Sequence, residues 1–186
     1  AAHGLGGKYH GNPIGSCEFS DLAVLSFHPV KSITTAEGGA ITTNDQSIAQ
    51  KCALYSKHGI TRESALMEIP SHGPWHYQQI DLGYNYRLND MQAALGISQL
   101  ARLDSFIDAR CHLAKRYMRL LEKLPLILPA SEQLTESAWH LFMVELTSHD
   151  RKTVYDALHA HGIGVNVHYI PIHLHPYYQN LGFNEG

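Results

Sequence analysis

The chain has 186 residues, 44% of them hydrophobic and 17% charged, with a formal net charge of −3. That balance supplies apolar material for a core and leaves no electrostatic case for nucleic acid or an anionic membrane as partner. No apolar run approaches the roughly 20 residues that span a bilayer, and Cys17, Cys52 and Cys111 are too widely spaced for a C-x-x-C site, so they read as reduced cytosolic thiols.

The opening, Ala1-Ala2-His3-Gly4-Leu5-Gly6-Gly7, carries no initiating Met and no signal-peptide pattern. Residues 14–43 read as strands and turns. Ala23–Phe27 is short, apolar and bounded by polar residues, the pattern of a buried parallel-sheet strand, and Ala40–Thr43 is a second strand. Asn44 or Asp45 caps a helix that runs to about Lys57, carries Ile48, Cys52 and Tyr55 at helical spacing, and stops at Gly59. From Ile60 to Gln79 the pattern dissolves around Pro70, Gly73 and Pro74, with the large aromatics Trp75 and Tyr77. A loop this long in a compact domain is functional or mobile.

Gly83-Tyr84-Asn85-Tyr86-Arg87 leads into a helix capped by Asn89, with Met91, Leu95 and Leu100 near one face and Ala93, Ala94 and Gly96 allowing close packing. A second helix is expected from Ser105, where Ser105 and Asp108 approximate a capping box. Phe106, Leu113, Tyr117, Leu120, Leu121 and Leu124 keep it amphipathic until Pro125. Beyond it, Ala138–Leu146 reads as a strand with Trp139, Leu141 and Met143 on one face. Asp150 caps a helix ended by Gly162, and Gly164–Tyr169 reads as a further strand before Pro171 and Pro176. This β-α-β run suits a separate small lobe. The 14 histidines contain no H-E-x-x-H or H-x-E…C-x-x-C pattern. His173 and His175 alternate along what reads as an extended segment, but two ligands without a third make a poor zinc site, and no metal is expected.

The chemistry concentrates at Lys31. An apolar strand delivers this lysine onto a short connector, and Gly38-Gly39 and a second strand follow. A lysine buried at such a place loses solvation and gives up its proton. The neutral amine then forms a Schiff base with an aldehyde. Ser26-Phe27-His28-Pro29-Val30-Lys31, followed by Glu37-Gly38-Gly39, resembles the cofactor-lysine segment of the DegT/StrS family of sugar aminotransferases. Gly83-Tyr84-Asn85-Tyr86-Arg87 is similar to a second hallmark of that family, and the resemblance extends from Ala1 to Phe183.

The resemblance implies an α/β fold of the aspartate-aminotransferase type (fold type I). Residues 1–104 would form the back of the large cofactor domain, 105–124 a connecting helix and 125–186 an incomplete small C-terminal domain. It implies pyridoxal 5′-phosphate on Lys31, a phosphate bond from the Ser26 hydroxyl and a bond from His3 to the cofactor's phenolic oxygen. It also implies that Asn85 reaches the phosphate of the neighbouring subunit, so that a homodimer shares its sites. Arg87 helps orient that segment. His168 and Tyr169 resemble the loop that approaches the sugar nucleotide, with an ordinary strand end as the equal alternative. His28 fits the pattern without a role that spacing reveals. In the family, an aspartate that pairs with the cofactor's pyridinium nitrogen would fall just before Ala1, and the phosphate cup lies further upstream. These 186 residues are therefore expected to be the back part of a longer enzyme, inactive alone.

His58-Gly59-Ile60-Thr61-Arg62, Gly73-Pro74-Trp75-His76-Tyr77-Gln78-Gln79 and Asn166-Val167-His168-Tyr169-Ile170-Pro171 resemble the family's pseudaminic acid branch. The implied reaction is transfer of an amino group from glutamate to C4 of a UDP-linked 4-keto-6-deoxy-N-acetylhexosamine. Three readings stay open: another nucleotide-sugar aminotransferase, a dehydratase of the same fold, and an incompetent fragment serving as an interaction module. Lys31 argues against the dehydratase, in which histidine typically replaces the lysine.

Overall fold

The structure, a computed structural model, describes residues 1–130 and 136–183. The chain divides into two compact units. The first comprises Ala1–Leu124 with Leu128–Val144, and the second Pro125–Ile127 with Glu145–Gly186.

The first unit opens with a short antiparallel pair, β1 (Lys8–Tyr9) and β2 (Asn12–Pro13). Its central hairpin pairs β3 (Ala23–Ser26) with β4 (Gly39–Thr42), in a register that sets Ala23 against Thr42 and Ser26 against Gly39. The expected parallel, doubly buried strand is thus an antiparallel one. Leu25 is buried while Val24 is 50% exposed. The correction has a local cause: the chain returns at Gly39, where an added Cβ would sit 2.5 Å from the Leu25 carbonyl oxygen. Only glycine lets the two strands approach there.

Helix α1 (Gln46–Tyr55) begins at Asp45, whose carboxylate accepts from the backbone N–H groups of Ser47 and Ile48. A side-chain hydrogen bond from Ser47 first, and then these backbone bonds, hold the Asp45 carboxyl below its ordinary range. The helix closes at Ser56, and Gly59 follows with a positive φ of 69°. A two-residue pair, β5 (Ile60–Thr61) and β6 (Gln78–Gln79), closes the long loop, which holds one short 3₁₀ turn at Ser64–Leu66.

Helix α2 (Asp90–Leu100) starts from a full capping box: the Asn89 side chain accepts from Gln92 N, and the Gln92 side chain accepts from Asn89 N. Helix α3 (Leu103–Leu121) starts earlier than its sequence implies. Ser105 does not cap it, because its hydroxyl donates back to the Arg102 carbonyl at 2.8 Å, a bond that belongs inside a helix. Ala114 is buried on α3, and the Arg110 guanidinium donates to the carbonyls of Trp139 and His140 at 3.2 and 3.3 Å.

The expected strand Ala138–Leu146 is mostly irregular. Trp139 adopts a positive φ of 47°, which breaks any strand, and its buried ring stacks toward Phe142 rather than sharing a face with exposed Met143. Only the end of the segment pairs, in the second unit, where β7 (Leu126–Ile127) meets β8 (Glu145–Leu146).

Helix α4 (Arg151–Ala160) is capped by Asp150, whose carboxylate accepts from Thr153 N and is thereby held below its ordinary pKa. Gly164–Tyr169 pairs with no strand among the described residues. In place of a ladder, the His159 ring meets the Val165 carbonyl at 3.0 Å. His173 lies in a 3₁₀ turn, Ile172–Leu174, rather than an extended segment, and α5 (Pro176–Asn180) follows with Pro176 in its first turn. Among the described residues no helix is long and apolar enough to cross a membrane, and no group of three or more His, Cys, Asp or Glu side chains could hold a metal ion.

Candidate active site

Lys31 is half-buried on the loop that joins β3 to β4. The loop is closed by its own backbone: Phe27 N donates to Gly38 O at 2.8 Å and Thr35 N to Phe27 O at 2.9 Å. Thr35 is 1% exposed, and its hydroxyl donates to the Glu37 carbonyl at 2.8 Å. Ile33 and Ser32, beside the lysine, are buried as well. The lysine side chain thus starts beside an enclosed stretch of the loop.

His28 organises the stem of this loop. Its N–H donates to Ser26 Oγ at 3.4 Å, its ring Nδ1 accepts from Val30 N at 3.4 Å, and its carbonyl accepts from Lys31 N at 2.9 Å. One residue therefore joins Ser26 and Lys31, the two candidates that the sequence places five positions apart. Because the Ser26 hydroxyl acts as acceptor toward His28, its own proton remains available to an anionic ligand. Spacing alone leaves His28 without a role, since its bonds depend on the turn that the loop adopts.

The far side of the loop rests on α2. Gln92 Nε2 donates to the Glu37 carbonyl at 2.9 Å, and Gly96 lies where an added Cβ would meet Thr35 Cγ2 at 2.9 Å. Gln92 thus serves both the helix cap and the lysine loop. The N-x-x-Q spacing from Asn89 is the signal that could have identified it.

Asn85 lies just before that helix, exposed, on a segment bridged to Lys57. Tyr84 N donates to Tyr55 O at 2.7 Å and Tyr86 N to Ser56 O at 3.0 Å, so the segment lies along the end of α1. The Tyr55 hydroxyl donates to the Asp81 carboxylate at 2.9 Å, which raises the tyrosine's pKa. Tyr84 and Tyr86 stack with centroids 4.9 Å apart. Asn85 Oδ1 accepts from Arg87 Nε at 3.3 Å and from Nη2 at 3.2 Å.

His3 lies on the N-terminal loop, its ring 4.4 Å from that of His140. That loop packs on α3 through Gly6, where an added Cβ would meet Ile107 Cγ1 at 2.6 Å. His3, Tyr9, Ile14 and Glu136 are among the residues lining an open groove of about 750 Å³. His140 is a neighbour of His3 that the sequence does not reveal, since 137 positions separate them. His168 and Tyr169 belong to the second unit, exposed, with rings stacked at 4.4 Å.

A half-buried primary amine and a hydroxyl with its proton to give, joined through one histidine, suit an aldehyde-bearing phosphate ester. The fold is of the aspartate-aminotransferase type, fold type I, as in the solved aminotransferases that the chain resembles. Residues 1–186 match the DegT/DnrJ/EryC1/StrS aminotransferase family, and the chain belongs to it. It is 36% identical to the UDP-4-amino-4,6-dideoxy-N-acetyl-beta-L-altrosamine transaminase of Campylobacter jejuni, a match over 97% of this chain and 46% of that protein. Among solved structures, PseC of Helicobacter pylori, an aminotransferase involved in the biosynthesis of pseudoaminic acid, superposes with a TM-score of 0.85 at 32% identity, covering 100% of this chain and 48% of that one. The putative sugar aminotransferase Spr1654 of Streptococcus pneumoniae, in its PLP form, also superposes with a TM-score of 0.85, at 32% identity, over 99% and 46% of the two chains. The chain spans about half the length of the curated relatives it matches.

Proposed function

We propose that this chain carries the lysine-bearing part of a nucleotide-sugar aminotransferase that moves an amino group from glutamate to C4 of a UDP-linked 4-keto-6-deoxy-N-acetylhexosamine, for pseudaminic acid biosynthesis. The observation that carries the reading is Lys31 on its enclosed loop with the Ser26 hydroxyl at the stem. The substrate assignment is supported by the likeness to the altrosamine transaminase and to PseC. In this reading residues 1–104 are the back of the cofactor domain, 105–124 the connecting helix and 125–186 part of the small domain. The enzyme works in the cytoplasm as a homodimer.

Pyridoxal phosphate, when bound, supplies the aldehyde carbon and the electron sink of amino transfer. Lys31 Nζ would hold it and, as a free amine, would carry the proton that leaves the glutamate α-carbon. Ser26 Oγ and the Asn85 side-chain amide of the neighbouring subunit would donate to the phosphate. His3 would bond to the ring's phenolic oxygen. His168 and Tyr169 contact the sugar nucleotide.

The test is amino transfer by the full native protein, with glutamate and the UDP-linked 4-keto sugar, in the presence of pyridoxal phosphate. Lys31→Ala is expected to abolish turnover and the visible absorbance of lysine-bound cofactor. Retention of both in the variant overturns the assignment.

A further inference from the structure

We infer that Arg87 is a positioning residue that fixes which end of the Asn85 carboxamide faces the cofactor phosphate. The inference rests on the reading that Asn85 reaches that phosphate. An asparagine side chain has an acceptor end and a donor end of nearly equal size, and a free carboxamide turns either one outward. Toward an anion the two are opposites: Nδ2–H₂ attracts it and Oδ1 repels it.

The geometry removes this ambiguity. Arg87 Nε and Nη2 both donate to Asn85 Oδ1, at 3.3 and 3.2 Å. A guanidinium has five donors and no acceptor, so the atom it grips can only be the oxygen. With Oδ1 committed, Nδ2–H₂ is the end left to present. The backbone beneath is held independently, through Tyr84 and Tyr86 on the end of α1 and the bridge from Asn85 to Lys57. Arg87 is therefore not needed to place the segment, and its two donors act on the side chain alone.

The experiment measures the affinity of the apo form of the full native protein for pyridoxal phosphate, and separately for inorganic phosphate. The proteins compared are wild type, Asn85→Ala, Asn85→Asp, Arg87→Ala, Arg87→Lys and the double variant Asn85→Ala/Arg87→Ala. Asn85→Ala should weaken binding about tenfold or more, as loss of a hydrogen bond to a charged group does. Asn85→Asp should weaken it at least as much, because its carboxylate keeps both Arg87 donors but offers the phosphate no donor. Arg87→Ala should weaken binding about three- to tenfold, and Arg87→Lys should restore part of the loss, since an ammonium also faces only oxygen. In the Asn85→Ala background, removal of Arg87 should add little, as required of a residue acting through another. Thermal midpoints of all variants confirm that folded protein is being compared. Additive losses in the double variant, or an Asn85→Asp protein with wild-type affinity, overturn the inference. So does an Arg87→Ala protein that binds normally while Asn85→Ala does not, an outcome that leaves the Asn85 assignment standing. Wild-type affinity in Asn85→Ala overturns the phosphate contact itself.

Discussion

Ser26 carries two duties that its position at the end of β3 makes compatible. Its Oγ accepts from His28 N at 3.4 Å, a long bond that adds little to the fold. The same oxygen has a proton to give. Replacing it should therefore separate stability from binding. Ser26→Ala is expected to leave the thermal midpoint nearly unchanged while weakening cofactor affinity by ~1.5–3 kcal/mol, the worth of a hydrogen bond to a charged group. A titration of the apo variant with pyridoxal phosphate, paired with a melting curve, checks both halves. Equal affinity for the variant and wild type would remove Ser26 from the phosphate site.

Among the elements, α2 stands out because its first turn serves two structures. Asn89 and Gln92 cap it reciprocally, and Gln92 Nε2 also reaches the Glu37 carbonyl on the lysine loop. Loss of the cap should be felt at the helix and, through Gln92, at the loop. Asn89→Ala is expected to cost ~1 kcal/mol of stability, the usual price of a lost asparagine cap. Gln92→Ala should match that loss and in addition raise amide exchange across residues 34–38. Hydrogen exchange that stays unchanged there in Gln92→Ala would mean the loop holds itself through Phe27, Thr35 and Gly38 alone.

At the scale of the molecule, large apolar side chains stand exposed beside the Asn85 segment and on α2, with Leu82 83%, Met91 82% and Ile97 72% exposed. An exposed apolar area of that kind is a candidate interaction surface, and the homodimer proposed above is tested by subunit mixing. If Asn85 acts on its neighbour's site, mixing Lys31→Ala and Asn85→Ala subunits should recover activity from two crippled parents. In the heterodimer the Asn85→Ala subunit keeps Lys31 and receives an intact Asn85 from its partner, so one site is whole. The assay is turnover after verified subunit exchange, and no recovery would place Asn85 within its own chain's site or limit it to a structural role.

The role proposed for Lys31 is legible in residue order alone, because the strand, the lysine and the Gly38-Gly39 turn lie within one short stretch. The same holds for the caps at Asp45, Asn89 and Asp150, where a side chain satisfies backbone donors two or three residues on. The pairing of β3 with β4 was half legible: the glycines mark a turn, but whether a strand lies parallel or antiparallel depends on what it meets. In the segment 138–144 the alternation of apolar residues resembles a strand, but Trp139 takes a left-handed backbone and turns its ring into a buried cluster. Contacts between distant positions, such as Gln92 with Glu37, Arg110 with Trp139 and His3 with His140, were decided only by the tertiary structure. Local periodicity reports the energy of a segment with itself, whereas these pairs depend on which surfaces the folded chain brings face to face.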